Sequence, residues 1–236
     1  YRRDAGQAFA AAIERGDRKL GIILRDLMVC ELPLAVDAGL FFNVNTPAAY
    51  RLACGRIANE GRERPILSIA APASGTGKTT FIERLIPHLT MHGIRTAVIK
   101  SDSHGFQLDT EGKDTARFTA AGACAVAVSA PNGYFIQKNE DQRQDFQNLI
   151  SKLDYDIDLF ITESRSRGTL PTLMLDRGLA ALEIDARVTA LFQKDGTPYD
   201  GLLSCDLDDV ETAARITLFL MGRPLYGADG LMFLTM

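Results

Sequence analysis

The sequence lacks any apolar run approaching the ~18 residues of a membrane span, so no transmembrane helix is written in it. It also lacks a basic excess: Lys+Arg 26 stand against Asp+Glu 30, a formal charge of −4. General binders of nucleic acid or of anionic membranes carry a clear positive balance, so this composition argues against both. Cysteine is scarce. Cys30, Cys54, Cys124 and Cys205 lie far apart and form no C-x-x-C pair, so neither a zinc knuckle nor a redox motif is present. Such thiols are expected to be buried in a reducing compartment. No secretory pattern opens the printed sequence, and the expected location is cytoplasmic. The sequence begins Tyr1-Arg2-Arg3 without a methionine, as expected of a fragment of a longer protein.

What is present is an ordinary globular composition, 46% hydrophobic and 24% charged over 236 residues. At roughly 100–200 residues per domain, this length predicts one good-sized domain, or one domain plus a piece. Residues 1–65 carry 10 basic and 8 acidic side chains, and residues 66–236 carry 16 and 22. Residues 4–28 read as two helices separated at Gly16-Asp17, and Leu40-Phe41-Phe42 reads as a short strand. Thr46 at an N-cap and Pro47 at the first helical position start a helix through about Ala58. The polar stretch 61–65, with Gly61 and Pro65, reads as a linker. Beyond it, apolar runs at 66–70, 94–100, 123–129, 135–136, 159–162 and 188–192 alternate with helical patterns at 77–92, 113–121, 140–153 and 208–221. That alternation predicts an α/β fold with a mainly parallel sheet flanked by helices.

The strongest motif is Ala71-Pro72-Ala73-Ser74-Gly75-Thr76-Gly77-Lys78-Thr79-Thr80, set between a strand and a helix. It fits the phosphate-loop (Walker A) pattern G-x-x-x-x-G-K-[ST] from Gly77 onward, with Pro72 in place of the first glycine. Small residues let backbone N–H groups wrap a phosphate. The helix start adds a partial positive charge. Ser74, Gly75, Thr76, Gly77, Lys78, Thr79 and Thr80 are therefore the candidate nucleotide-binding residues. Lys78 can reach the outer phosphates, and the Thr79 hydroxyl can bind Mg²⁺.

Such a loop needs an acid at the end of a neighbouring strand to organise metal or water. Glu163, closing Leu159-Phe160-Ile161-Thr162, is the first candidate, and Asp102, just past Lys100, is the second; either reads equally as a surface acid. Asp195 follows the strand at 188–192. It is either a reader of the guanine N1–H and amine or a plain turn residue in Asp195-Gly196-Thr197-Pro198. No N-K-x-D motif is present. Arg165 and Arg167 are either phosphate contacts or solvated arginines. His88 and His92 are four apart but lack the glutamate of a zinc H-E-x-x-H helix.

Read together, several stretches resemble a known family. Residues 66–163 resemble the GTP-binding accessory proteins of molybdopterin guanine dinucleotide biosynthesis, the MobB family. The resemblance rests on Ser74 to Thr80 followed by Leu85-Ile86-Pro87, on Val98-Ile99-Lys100 with His104, on Asp109, Gly112-Lys113-Asp114-Thr115 and Ala121-Gly122-Ala123, and on Leu159 to Glu163. Asp206-Leu207-Asp208-Asp209-Val210-Glu211 also suits the family. There are departures. The family's histidine run is reduced to His104, and its E-G-F-K is Glu163-Ser164-Arg165-Ser166 here. The resemblance implies a phosphate-loop NTPase fold, GTP with Mg²⁺ as ligands, a dimeric state, and a role assisting a guanylyltransferase. Lys78 and Glu163 then become the candidates for slow GTP hydrolysis.

The first 60 residues resemble the C-terminal tail of the molybdenum cofactor guanylyltransferases, MobA, through Gly16-Asp17-Arg18-Lys19-Leu20 and Phe41-Phe42-Asn43-Val44-Asn45-Thr46-Pro47. That likeness implies Asn43 and Asn45 as molybdopterin-binding candidates; the other reading is that Asn45 and Thr46 only cap a helix. The transferase's own Gly-rich nucleotide loop is absent from the sequence. The expected organisation is a fusion: a transferase-like tail at 1–60, a linker at 61–65 and a GTP-binding domain at 66–236. The alternatives are a small-molecule kinase or ligase on the same fold, or a nucleotide-gated, non-catalytic adaptor.

Overall fold

The structure is a computed structural model, and it describes residues 3–16, 19, 42–100, 114–138, 146–153, 156–163 and 169–223. The packing divides the chain into two compact units, Tyr1–Asp37 and Ala38–Met236. In the first, helix α1 spans Arg3–Glu14 and ends at Gly16, whose φ of +85° is a left-handed conformation. The second helix read in 17–28 and the strand read at Leu40-Phe41-Phe42 lie outside the described residues except at Lys19 and Phe42, which are in neither helix nor strand.

The second unit opens with α2, Pro47–Glu60. The Thr46 hydroxyl accepts the Ala49 N–H at 3.1 Å, and Pro47 fills the first turn, where no N–H is needed. Then follow β1 (Ile66–Ala70), α3 (Lys78–Met91), β2 (Thr96–Lys100), α4 (Asp114–Ala120), β3 (Ala125–Ala130), β4 (Gly133–Lys138) and α5 (Phe146–Ser151). The chain continues with β5 (Leu159–Glu163), β6 (Thr172–Asp176), β7 (Val188–Gln193), a 3₁₀ turn at Lys194–Gly196, β8 (Leu203–Asp206) and α6 (Val210–Leu220).

Six strands form one sheet in the order β2-β5-β1-β6-β7-β8, and every neighbouring pair is parallel. The continuous apolar runs require this. Strands β1, β5, β6 and β7 are buried on both faces, as parallel strands covered on both sides must be. One face presents Leu67, Ile69, Leu159, Ile161, Leu173, Leu175 and Phe192 to Phe81, Leu85 and Leu89 of α3 and to Ala213, Ile216 and Phe219 of α6. Phe81 and Phe192 meet edge to face with centroids 5.1 Å apart. Ala70, Met174, Val188 and Leu191 form a smaller cluster with Leu202, Leu182 and Ile184.

Strands β6 and β8 lie outside the runs read as strands in the sequence, and two further features differ from the pattern expected of it. The runs at 123–129 and 135–136 do not join the parallel sheet. β3 and β4 pair with each other, antiparallel, from Ala125↔Lys138 to Ala130↔Gly133. Only Pro131-Asn132 connects them, and a parallel crossover needs a dozen residues or more. The second feature is the placement of α2, which the linker at 61–65 assigns to the preceding segment. Its packing is with the sheet. Leu52 is fully buried in the main core. The Arg51 guanidinium donates to the Asp185 and Val188 carbonyls at 2.6 and 3.3 Å. Gly55 lies so close to the sheet that a Cβ there would stand 2.6 Å from Thr189 Cγ2 and 2.8 Å from Leu220 Cδ2. Asn59, in the last turn of α2 just before the polar stretch, is buried. Its amide donates to Leu220 O and its carbonyl accepts Ile66 N–H, both at 3.1 Å.

Candidate functional site

The site forms where the sheet topology switches direction. From β1 the chain leads through α3 to β2 on one side. From β6 it proceeds to β7 on the other. In open α/β sheets the loops leaving such adjacent strands diverge, and the crevice between their carboxyl ends takes the ligand.

Residues 71–77 turn from β1 into α3. Gly75 and Gly77 have φ of +74° and +92°, conformations that L side chains rarely adopt. Gly77 is the N-cap of α3 and makes no side-chain cap, so the first helical N–H groups are directed toward the mouth of the loop. Inside the loop the Ala73 carbonyl accepts the Thr76 hydroxyl at 2.8 Å and the Lys78 ammonium at 3.4 Å. Thr76 is buried, and Lys78 is 9% exposed. The loop thus holds its lysine across its own backbone, at the helix N-terminus.

Strand β5 lies beside β1, with Ile69 paired to Glu163, and Glu163 also pairs with Lys100 of β2. That register brings the acid to the loop. The Thr79 hydroxyl donates to both carboxylate oxygens of Glu163, at 3.0 and 3.2 Å. One hydroxyl and one carboxylate, both hard oxygen donors, converge beside the loop, which is the donor chemistry that suits Mg²⁺.

A residue with no counterpart in the motif reading completes the crevice. Arg177 follows β6 directly, and its guanidinium lies against Gly77. A Cβ on Gly77 would stand 3.3 Å from Nη2 and 3.6 Å from Cζ of Arg177. The available signal was the apolar run Thr172-Leu173-Met174-Leu175, bounded by Pro171 and by Asp176-Arg177-Gly178.

Other candidates sit apart. Asp195 follows β7 and is exposed, with a left-handed φ of +61°. Asn43 and Asn45 are exposed in the irregular stretch before α2. No polar contact joins Asp195, Asn43 or Asn45 to the phosphate loop among the described residues. Asp102, His104, Arg165 and Arg167 lie outside the described residues. Among the described residues no three His, Cys, Asp or Glu side chains gather as a metal cluster, and His88 and His92 have no such company. Among the described cysteines the expectation of buried thiols holds for Cys205 alone, whose pKa is pushed up to about 12 by burial and then by Asp209. Cys54 is half-buried and Cys124 exposed, because the β3–β4 hairpin to which Cys124 leads is itself exposed; Cys30 lies outside the described residues. No helix among the described residues is long and apolar enough to cross a membrane.

Comparisons with known proteins agree with this geometry. Residues 66–190 match the family described as molybdopterin guanine dinucleotide synthesis protein B, MobB. The chain is 33% identical over 167 residues to the molybdopterin-guanine dinucleotide biosynthesis adapter protein of Escherichia coli (strain K12), covering 67% of this chain and 94% of that protein. It is 34% identical over 114 residues to the protein of the same name from Haemophilus influenzae, covering 48% of this chain and 64% of that protein. The crystal structure of Bacillus subtilis MobB superposes with a TM-score of 0.54 at 27% identity, covering 66% of this chain and 97% of that one. With a family match over more than half its length, carrying both the phosphate loop and its partner acid, the chain belongs to the MobB family.

Proposed function

We propose that this chain binds GTP with Mg²⁺ and, in that form, assists conversion of molybdopterin to its guanine dinucleotide. The observation that carries the reading is the Thr79–Glu163 contact beside a loop already shaped for phosphate. Backbone N–H groups of residues 74–80 and the Lys78 ammonium would hold the phosphates. Thr79 and Glu163 would hold Mg²⁺, which neutralises charge on the outer phosphates. Asp102 is a second candidate for the metal. Asp195 is our candidate for reading guanine, by accepting its N1–H and amine.

Turnover in this reading is slow. Glu163 orients water or metal, and no glutamine beside the loop positions an attacking water among the described residues. The partner is a molybdopterin guanylyltransferase, and residues 1–60 derive from the tail of one fused to the same chain, with their last helix, α2, now packed on this chain's sheet and Asn43 and Asn45 facing the transferase's pterin substrate. A homodimer fits the exposed apolar side chains of the hairpin, Val128, Tyr134 and Ile136. The adapter names and the match to the family support the pathway. The test is reconstitution. A guanylyltransferase, molybdopterin and GTP are combined with wild-type chain or with Lys78→Ala, and dinucleotide formation is followed. Stimulation by the wild type alone is the expected result. Equal stimulation by Lys78→Ala would detach the assistance from nucleotide binding.

A further inference from the structure

The cation at the end of β6 has no assigned role, and three observations bear on it. First, position. β6 is the parallel neighbour of β1, with Ile69 paired to Leu173 and Ala70 to Met174. The residue leaving β6 therefore stands beside the loop leaving β1, on the side opposite β5 and Glu163. Second, geometry. The Arg177 guanidinium reaches back over the N-cap of α3, with Nη2, Cζ and Nε at 3.3, 3.6 and 3.8 Å from where a Gly77 Cβ would be. Glycine at this position leaves room for the guanidinium as well as for the left-handed turn. Third, charge. Among the described residues Arg177 has no ion pair with a carboxylate; the neighbouring Asp176 carboxylate instead accepts the Gly178 N–H at 2.8 Å. The guanidinium thus shares the positive end of a helix dipole with Lys78, an arrangement of like charge that an anion relieves.

We infer that Arg177 is a second phosphate-binding cation of the loop, clamping the nucleotide's phosphate chain from the β6 side while Thr79 and Glu163 hold metal on the β5 side. A guanidinium suits the task. Its planar fork pairs two N–H donors with two phosphate oxygens and keeps its charge at every relevant pH. The inference rests on the proposed GTP binding. It adds to that reading an arginine supplied by the chain itself, where Lys78 and the loop backbone were the only phosphate ligands.

The experiment is calorimetry with GTP and with GDP, both with Mg²⁺, on wild type, Lys78→Ala, Arg177→Ala and Arg177→Lys, together with thermal melting of each unliganded protein. Arg177→Ala is expected to weaken both nucleotides roughly 10- to 100-fold, the range set by losing a charge-assisted hydrogen bond. Arg177→Lys should regain part of that. Unliganded Arg177→Ala should melt at or above the wild-type temperature, because it removes a cation from a helix N-terminus. Wild-type affinity in Arg177→Ala, alongside loss in Lys78→Ala, overturns the inference and leaves GTP binding standing. A lowered melting temperature for both unliganded Arg177 variants assigns the arginine to packing and also overturns it. No GTP binding by the wild type overturns the proposed function itself.

Discussion

Thr79 and Glu163 are 84 residues apart in the chain, and the Thr79 hydroxyl donates to both carboxylate oxygens of Glu163, at 3.0 and 3.2 Å. The contact exists because β5 is hydrogen-bonded to β1 in a register that ends both strands together. It joins the first turn of α3 to the end of the neighbouring strand, and these two side chains are the ones that would hold a divalent cation.

Removing the carboxylate charge should therefore act through the metal. Glu163→Gln keeps the shape and loses the hard anionic ligand. We expect the Mg²⁺ concentration needed for tight nucleotide binding to rise tenfold or more, with Mg²⁺-free binding little changed. Titrating Mg²⁺ against a fixed nucleotide concentration checks this, and an unaltered Mg²⁺ dependence would remove Glu163 from the metal site.

Gly77→Ala tests the turn. The substitution strains a backbone at φ +92° and places a methyl group 3.3 Å from the Arg177 guanidinium. Strain of this kind is worth on the order of 1–3 kcal/mol. Lower thermal stability and weaker nucleotide binding should appear together; a variant with wild-type melting and binding would contradict the geometry described.

Asn59→Ala tests whether α2 belongs to the nucleotide-binding unit. The side chain is 4% exposed and satisfies two backbone groups, Leu220 O and Ile66 N–H. Leaving buried groups unpaired costs roughly 1–3 kcal/mol each. Denaturant unfolding should show a loss of about 2 kcal/mol or more. A loss below about 0.5 kcal/mol would mean that α2 contributes little to the fold of the sheet.

Asp158 supplies a pH test. The Arg95 side chain, then the Arg95 backbone N–H, hold the Asp158 carboxyl below its ordinary range. The bonds measure 3.0 Å from Nε and 2.9 Å from the backbone N, and Asp158 N–H returns one to Arg95 O at 2.8 Å. A carboxyl lowered by folding stabilises above its unfolded pKa of about 3.9, and that contribution is lost as pH falls through the folded value. Asp158→Asn should thus be less stable than wild type at pH 7, with the gap closing below about pH 4. A gap independent of pH would show that the charge is not what ties β5 to β2.

Much of this arrangement was legible in the sequence. Ile66 to Ala70 and Leu159 to Glu163 are apolar runs rich in β-branched and aromatic residues, so these strands were plain. The turn residues Gly75 and Gly77 announced the loop. What was hidden depended on lateral neighbours. Thr172-Leu173-Met174-Leu175 is rich in leucine and methionine, which favour helices when isolated, and only burial between β1 and β7 makes it a strand. Arg177 inherited that silence, because nothing in the chain says that its strand lies beside the loop. The hairpin at 125–138 reads as two ordinary strands until the short turn between them is weighed against the length of a crossover. Gly55 reads as a weak point in a helix, and the close approach to Thr189 and Leu220 that requires it is a property of the packed fold.

The proposed function stands on nucleotide binding by this loop, with guanine preferred, and calorimetry measures that binding. GTP and ATP, each with Mg²⁺, are titrated into the wild type and into Lys78→Ala. The wild type should bind GTP in preference to ATP, and Lys78→Ala should lose that binding. Equal affinity for ATP would contradict the guanine assignment, and no binding of either nucleotide would contradict the proposed function as a whole.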